Sequence, residues 1–289
     1  MSHFTVLVIG ENVEDLLQPY HEYECTGVED QYVVDVDMTD EVLEKWKSTP
    51  AKERKEYGYT IIDDLARDYY GAYPNDQGRF VRKTNPNAKW DWWQIGGRWQ
   101  GMFKLKPGAE GASGQASLLM DDHQYQEDRV DQARKGDIDF EFMKNEAREE
   151  AAQTWDEVFE KVWQFEKPLP WAQIRDELFS EDIDQARDFY NNQRAVVAFR
   201  EMKGFWNTHV EDFFIWDEGG RQKYIDSQEC NGYMTFAVCS EDGWFEKGSM
   251  GWWGVVTDEK LKYDWAAQFN DLLEGLPDDT LLTIVDAHI

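Results

Sequence analysis

The sequence begins and ends with a segment that has the composition of a buried β-strand. Residues 4–9 read FTVLVI and residues 281–289 read LLTIVDAHI, and both runs are rich in β-branched and other apolar side chains. Such runs need cover on both faces, which places them inside a sheet rather than at an exposed edge. Because terminal strands commonly pair in one sheet, we expect the two ends of the chain to lie side by side.

Between these ends, the sequence alternates between strand and helix patterns. Apolar residues spaced by threes and fours from Phe140 to Val162 predict one long helix that ends before Pro168. Similar patterns predict helices from Thr39 to about Lys47 and across 258–276. We expect strands in the segments VVDVDM at 33–38, RAVVAFREM at 194–202 and GWWGVVTD at 251–258. We also expect a hairpin or a bulged strand pair at 89–106 and a hairpin at 233–249.

These elements predict an α+β fold with a mixed or antiparallel sheet that contains both terminal strands. Residues 107–117 read PGAEGASGQAS, which we interpret as a flexible break. The simplest arrangement is a discontinuous α+β domain of residues 1–108 and 230–289, with the mainly helical segment 109–229 inserted as an arm. Two consecutive domains that divide near residues 110–130 are the alternative.

The charge of the chain narrows the classes of partner. It has 59 acidic and 30 basic residues among 289, a formal charge of −29. Nucleic-acid binding needs Lys and Arg to neutralise phosphates, so we expect neither direct nucleic-acid binding nor attachment to anionic membranes. Aromatic residues make up 15%, which indicates a folded body rather than a disordered acidic tail. The charge favours a basic partner, although acidic surfaces also simply keep proteins soluble.

The sequence also indicates a compartment. No run approaches the roughly 20 apolar residues that a membrane-spanning helix needs, and residues 1–10 lack the pattern of a secretion signal. The three cysteines, Cys25, Cys230 and Cys239, are an odd number without framework spacing, which is typical of reduced thiols. We therefore expect a cytoplasmic protein.

Sequence motifs for catalysis are weak. Gly96-Gly97 followed by Arg98 matches neither a phosphate-binding loop nor a dinucleotide fingerprint, and the five histidines form no metal-binding motif. We therefore predict no enzyme, no cofactor and no metal. Three alternatives stay open. His21 and Cys25 could form a thiol–imidazole or metal site, and the terminal histidines His3 and His288 could meet if the end strands pair. Asp35 and Asp37 could act as a pair of carboxylates on one face of a strand.

Tryptophan is concentrated in two blocks, KWDWWQIGGRW at 89–99 and GWWG at 251–254. In a strand, adjacent residues point to opposite faces, so each WW pair gives one core and one outward side chain. Outward tryptophans beside Gly and Arg suit a protein interface, whereas core packing is the plainer alternative. The predicted protein-binding residues are Trp90, Trp92, Trp93, Arg98, Trp99, Trp252 and Trp253.

Several blocks of the chain resemble a family of phage and prophage proteins. They are the start through Gly27, NPNAKWDWWQIGGRW at 85–99, DQARKGDIDF at 131–140, GWWG at 251–254, and GLPDDTLLTIVDAHI at 275–289. In size, acidity and phage context the chain is also similar to the Gabija anti-defence proteins of phages. That resemblance implies a homo-oligomer that surrounds a host nuclease–helicase complex in the host cytoplasm and stops it acting on phage DNA. It implies no catalytic residues.

Two other functions compete with this one. An acidic DNA mimic would bind a broader range of DNA-binding proteins, in a strongly salt-dependent manner. A phage hydrolase would use paired carboxylates or the neighbourhood of His21 and Cys25. The three hypotheses differ in whether a single target, many targets or a substrate is recognised.

Overall fold

The computed structural model describes residues 2–116, 128–202, 210, 220–251 and 254–289. The chain forms two compact units, one comprising Met1–Ile138, Thr235–Lys262 and Leu273–Ile289 and the other comprising Asp139–Met234 and Tyr263–Leu272. The α+β fold class is confirmed, whereas the division at residues 108 and 230 stays a prediction. Among the described helices, none has the length and apolar character needed to cross a bilayer.

The first unit is built on the pairing of the two chain ends. Strand β1 (His3–Ile9) runs antiparallel to β15 (Leu281–His288), with His3 opposite His288 and Ile9 opposite Leu282. The predicted pairing of the terminal strands is therefore confirmed. Both strands are buried on both faces, as their nearly continuous apolar composition requires.

Further strands extend this sheet on both sides. On the free edge of β1 lies the parallel β11 (Ala237–Ser240), followed by the antiparallel β12 (Gly243–Glu246), which confirms the hairpin predicted at 233–249. On the free edge of β15 lie β5 (Trp92–Gly97) and β10 (Gln132–Arg134) at different positions along the strand. One face of the main sheet packs into a hydrophobic core cluster that contains Phe4, Val6 and Leu17.

Short strands complete the first unit. A small sheet contains β2 (Val34–Asp37), β3 (Tyr73–Pro74) and β4 (Phe80–Thr84), in the order β2–β4–β3. The remaining short strands are β6 (Phe103–Lys104), β7 (Gly111–Ala112), β8 (Gln115–Ala116), β9 (Arg129–Val130), β13 (Ser249–Met250) and β14 (Val256–Thr257).

The helices of the first unit lie beside the small sheet or follow β1. The apolar faces of α3 (Thr39–Ser48) and α5 (Ile62–Tyr70) contribute Val42 and Leu65 to a small core with Phe80. The helix predicted from Thr39 to about Lys47 is confirmed by α3. The helices are α1 (Val13–Leu17), α2 (Tyr23–Thr26), α3 (Thr39–Ser48), α4 (Ala51–Glu56) and α5 (Ile62–Tyr70).

The second unit is helical. Its longest helix, α6 (Phe140–Lys161), begins at Asp139, whose side chain accepts a hydrogen bond from the backbone N–H of Phe142. The predicted apolar face is buried from Met143 to Val158, whereas Phe159, which the spacing also assigned to it, is 55% exposed. The other helices are α7 (Trp171–Gln173), α8 (Ile183–Asn191), α9 (Arg194–Arg200) and α10 (Gly220–Gln228), and a π-helical turn spans Ile174–Leu178. The predicted C-terminal helix is α11 (Lys262–Glu274).

Two predicted strand elements are wrong. Residues 194–202 do not form a strand, because Ala195, Val196 and Phe199 share one buried face of α9, and tertiary packing overrides the β propensity of the valines. The hairpin at 89–106 also does not form. The left-handed Gly96 and Gly97 turn the chain out of β5, and β6 pairs with β9 instead.

The segment predicted as a flexible break, 107–117, contains β7 and β8 in its described part. The buried carboxylate of Asp131 explains this order, because it accepts hydrogen bonds from the backbone N–H groups of Gly101 at 2.6 Å and Gly114 at 2.7 Å. Burial raises the pKa of Asp131 above its ordinary value, although these hydrogen bonds act in the opposite direction. The sequence pattern contains no sign of this long-range bond.

Because β1 is the central element, shortening a core side chain there tests the architecture. We expect Leu7→Ala to lower the free energy of unfolding by about 3 kcal/mol, since Leu7 is 1% exposed and the change leaves a cavity. The control is Val28→Ala, at a 44% exposed loop position, which should change stability by less than about 0.5 kcal/mol. Urea unfolding followed by circular dichroism measures both. Equal losses would contradict the burial of β1.

Candidate functional site

The tryptophan block at 89–99 is divided between core and surface. Trp90 is buried, and its indole N–H donates to the carbonyl oxygen of Leu17 at 2.9 Å. Trp93 is partly buried and packs edge-on against Trp90, with ring centroids 6.4 Å apart. Trp92 points to the opposite face and is 45% exposed. Trp92 and Trp93 therefore follow the alternation expected of adjacent residues in a strand.

The other predicted interface residues lie around the end of β5 or outside the described part. Arg98 is exposed, and Trp99 is half-buried where its backbone N–H bonds to the carbonyl oxygen of Gly96. Trp252 and Trp253 lie outside the described residues. Only Trp92 and Arg98 of the described set thus offer exposed side chains, and their role in binding stays a prediction.

The two terminal histidines meet at one end of the main sheet. His3 and His288 are direct cross-strand partners, and their ring centroids are 4.9 Å apart in an edge-on arrangement. Each ring is held by a carboxylate: His3 Nδ1 is 2.7 Å from Asp286 Oδ1, and His288 Nδ1 is 2.5 Å from Asp91 Oδ1. We call His3, His288, Asp91 and Asp286 the terminal histidine cluster.

Strand alternation explains why these side chains share a face. Asp286 and His288 are two residues apart on β15, so both point the same way, and the register places His3 among them. Trp92 lies on the other side of His288, because β5 pairs with β15 at that position. The sequence signal was available in the alternating Asp-Ala-His at 286–288, but Asp286 and Asp91 were not predicted as site residues.

The glycine pair that ends β5 makes room for the buried carboxylate of Asp286. Asp286 is 1% exposed, and its second oxygen accepts the backbone N–H of Arg98 at 3.0 Å. A Cβ atom on Gly97 would lie 2.3 Å from that oxygen, and Gly97 has a left-handed φ of 59°. The Gly-Gly-Arg motif therefore orients the carboxylate that holds His3.

His21 and Cys25 do not form a catalytic pair. His21 is buried, with Nδ1 2.9 Å from the hydroxyl oxygen of Thr26 and Nε2 3.3 Å from a carboxylate oxygen of Asp30. Hydrogen bonding to Glu22, together with burial, raises the pKa of Cys25 to about 11. The thiol is therefore neutral at pH 7, which is unfavourable for a nucleophile.

Cys25 instead lies beside two carboxylates. The thiol sulfur of Cys25 and one carboxylate oxygen each of Glu22 and Asp91 lie within 4.8 Å of one another. We call these three residues the Cys25 triad. Asp91 belongs to both the triad and the terminal histidine cluster, so the two groups are contiguous. Sequence reasoning named Cys25 but missed Asp91, which is 66 positions away and carries no local signal.

The predicted carboxylate pair on β2 has a structural explanation. Asp37 accepts hydrogen bonds from the backbone and hydroxyl of Thr39 at the start of α3, and it forms an ion pair with Arg79. These hydrogen bonds lower the pKa of Asp37. Asp35 stands opposite Lys83 in the strand register. Asp37 thus holds the first residue of α3 in place, and this arrangement does not indicate catalysis.

Comparison with known proteins adds no relative. No protein-family model matches the chain, and neither the curated proteins nor the solved structures contain a significant match. The resemblance to phage proteins therefore depends on the sequence blocks alone.

Substitution of the glycine beside Asp286 tests the construction of the cluster. We expect Gly97→Ala to cost about 2–5 kcal/mol of stability, because it combines backbone strain with a clash against the carboxylate. Gly78→Ala is the matched control, since Gly78 also has a left-handed φ but nothing lies near its Cβ position, and it should cost about 1–2 kcal/mol. Thermal unfolding compares the two. Equal costs would mean that Asp286 is not confined by Gly97.

The exposure of the three thiols gives a second test. In the native protein we expect an alkylating reagent to modify Cys25 alone, because Cys230 and Cys239 are buried. The reaction should be slow at pH 7 and accelerate towards pH 11, since the raised pKa keeps the Cys25 thiol protonated. Intact-mass measurement with peptide mapping reports the site. Rapid labelling at pH 7 would contradict the hydrogen bond to Glu22.

Proposed function

We propose that this chain is a phage-encoded inhibitor that binds the basic surface of a host defence nuclease complex and blocks it, without catalysing a reaction. The observation that carries the proposal is a formal charge of −29 on a folded body. The specific target class, a Gabija-like nuclease–helicase, comes from the similarity of the chain in size, acidity and phage context to the Gabija anti-defence proteins of phages. The proposal includes action in the host cytoplasm as a homo-oligomer.

A row of uncompensated negative charge on α6 is the surface that we propose for binding the basic partner. The helix exposes four glutamates that lie within about 100° of its circumference and extend over about 16 Å of its length. Among the described residues, none of them forms an ion pair with Lys or Arg, in contrast to Asp156, which pairs with Arg221. The row consists of Glu149, Glu150, Glu157 and Glu160.

Such a row favours a basic protein over other ligands. Like charges on one face repel each other, so a partner that brings Lys and Arg relieves that repulsion and is attracted from a distance. A nuclease carries basic surfaces because it must neutralise DNA phosphates. Occupying those surfaces would exclude DNA, which is how a non-catalytic protein can stop a nuclease.

The target is tested by affinity purification. Tagged full-length protein is expressed in cells that carry a panel of defence systems, and bound proteins are identified by mass spectrometry. We expect one nuclease-containing complex to co-purify at stoichiometric levels, with a complex mass that reports the oligomer. Capture of many unrelated DNA-binding proteins, all displaced by duplex DNA, would favour the DNA mimic. Absence of any nuclease complex across the panel would overturn the proposal.

Charge neutralisation tests the role of the α6 row. Replacing its four glutamates by Gln should reduce the association rate with the captured complex about tenfold at low salt, because electrostatic steering is lost. The control removes the same charge elsewhere, at exposed positions of the first unit, and should have a much smaller effect. It combines E53Q, E56Q, D76N and E110Q. Equal effects of the two variants would mean that net charge alone, and not this row, directs binding.

A further inference from the structure

The Cys25 triad has the composition of a transition-metal site rather than that of a hydrolase. It combines one thiol with two carboxylates, and all three offered ligand atoms lie within 4.8 Å of one another. We propose that Glu22, Cys25 and Asp91 bind a zinc-class divalent metal ion, with His288 as the positioning residue for Asp91. This inference is independent of the proposed inhibitor function, because it concerns different residues.

The backbone holds the two carboxylates in place. The backbone N–H of Glu22 donates to the carbonyl oxygen of Trp90 at 2.6 Å, which joins the start of α2 to the residue before Asp91. On the other side, the backbone N–H of Asp91 donates to the carbonyl oxygen of His288 at 2.9 Å. The segment with Asp91 is thus fixed between α2 and the final strand. Ligands held in this way lose little freedom when they bind an ion.

The short helix α2 presents Cys25 at this junction. The helix ends at Gly27, which has a left-handed φ of 65° and whose N–H bonds to the carbonyl oxygen of Tyr23. This tight turn places Cys25 three residues after Glu22, so both side chains lie on one side of the turn. Cys25 is exposed, and solvent therefore reaches the triad.

Within the part of the chain that the structure describes, no Lys or Arg forms an ion pair with the carboxylates of the triad. On adjoining segments, Arg82 forms its ion pair with Glu24, and Lys89 forms its ion pair with Glu246. Within the described chain, the ion pair of Asp91 is with His288, and Glu22 has no ion pair with Lys or Arg. Two close carboxylates without such a partner repel each other, and a bound cation would remove that repulsion.

The donor set favours zinc over magnesium and calcium. Thiolate sulfur is a ligand for softer ions, whereas Mg²⁺ and Ca²⁺ require oxygen ligands in greater number. Zinc–sulfur and zinc–oxygen distances of about 2.3 and 2.1 Å bring ligand atoms to about 3.5–4 Å from one another, so small side-chain shifts close the triad. Three protein ligands leave a fourth tetrahedral position for water.

His288 supports the proposed metal site by positioning the carboxylate of Asp91. Its Nδ1 contacts one oxygen of Asp91, which leaves the other oxygen of that carboxylate for the metal. Hydrogen bonds of this kind orient metal ligands, and their loss typically weakens metal affinity about 10–100-fold. His288 is in turn packed against His3, which Asp286 holds. The register of the terminal strands therefore fixes the orientation of Asp91.

The experiment titrates chelator-treated full-length protein with Zn²⁺ and with Co²⁺. We expect one metal ion per chain, with a thiolate-to-cobalt charge-transfer absorption that shows coordination by sulfur. C25S should abolish that absorption and D91N should weaken Zn²⁺ binding at least about tenfold. H288A should weaken binding about 10–100-fold while the charge-transfer absorption remains at saturating Co²⁺. E24Q is the matched control on α2 and should bind metal like the unsubstituted protein.

A measurement on the unsubstituted protein keeps the test independent of variant folding. Saturating Zn²⁺ should protect Cys25 from alkylation, whereas Mg²⁺ and Ca²⁺ at the same concentration should not. The proposal is overturned if Co²⁺ binds without the charge-transfer absorption, if Cys25 stays reactive in saturating Zn²⁺, or if C25S and E24Q bind Zn²⁺ equally well. None of these outcomes affects the co-purification test of inhibitor function.

Discussion

The antiparallel pairing of β1 with β15 is the interaction on which the rest of the first unit depends. It joins residues 283 positions apart, as His3 and Asp286 show, and closing a flexible loop of that length costs about 5 kcal/mol by the logarithmic law. Burial of both faces of two strands offsets this cost. Because β11 is paired to β1, whereas β5 and β10 are paired to β15, the terminal pairing is the ladder that joins the two sides of the main sheet.

The register of that pairing determines which side chains meet at the end of the main sheet. With His3 opposite His288, the histidines, Asp286 and Trp92 lie on one face, while Phe4 and Val285 lie on the apolar face. A slip of one residue would exchange the faces of a strand, so packing of the core and alignment of the cluster are selected together. A well-packed sheet thus also orients Asp91, through His288, towards Cys25.

Local sequence patterns predicted most of the helices and strands, whereas long-range contacts determine which residues meet around Cys25. The terminal strands, the 233–249 hairpin and α6 follow from periodicity, because each buries a face that its own residues define. The pattern at 194–202 is ambiguous, since a short apolar run suits a strand or a helix until its neighbours are known. The hairpin predicted at 89–106 is wrong because β5 pairs with β15, whose residues lie 190 to 196 positions later, rather than with β6. Asp91 was missed for the same reason: its role is defined by Cys25 and His288, which are distant in sequence.

The acidity of the chain bears on both proposals in different ways. A charge of −29 concentrates cations of every kind around the protein, so weak binding of Mg²⁺ or Zn²⁺ to exposed carboxylates is expected without any built site. Only coordination by the Cys25 thiolate separates the triad from that background. The proposed binding of a basic protein surface, by contrast, would use the exposed glutamates of α6, where no thiol takes part. Added salt should therefore weaken the protein complex strongly and the thiolate–metal bond little, since screening acts on exposed charges and hardly on a coordinate bond.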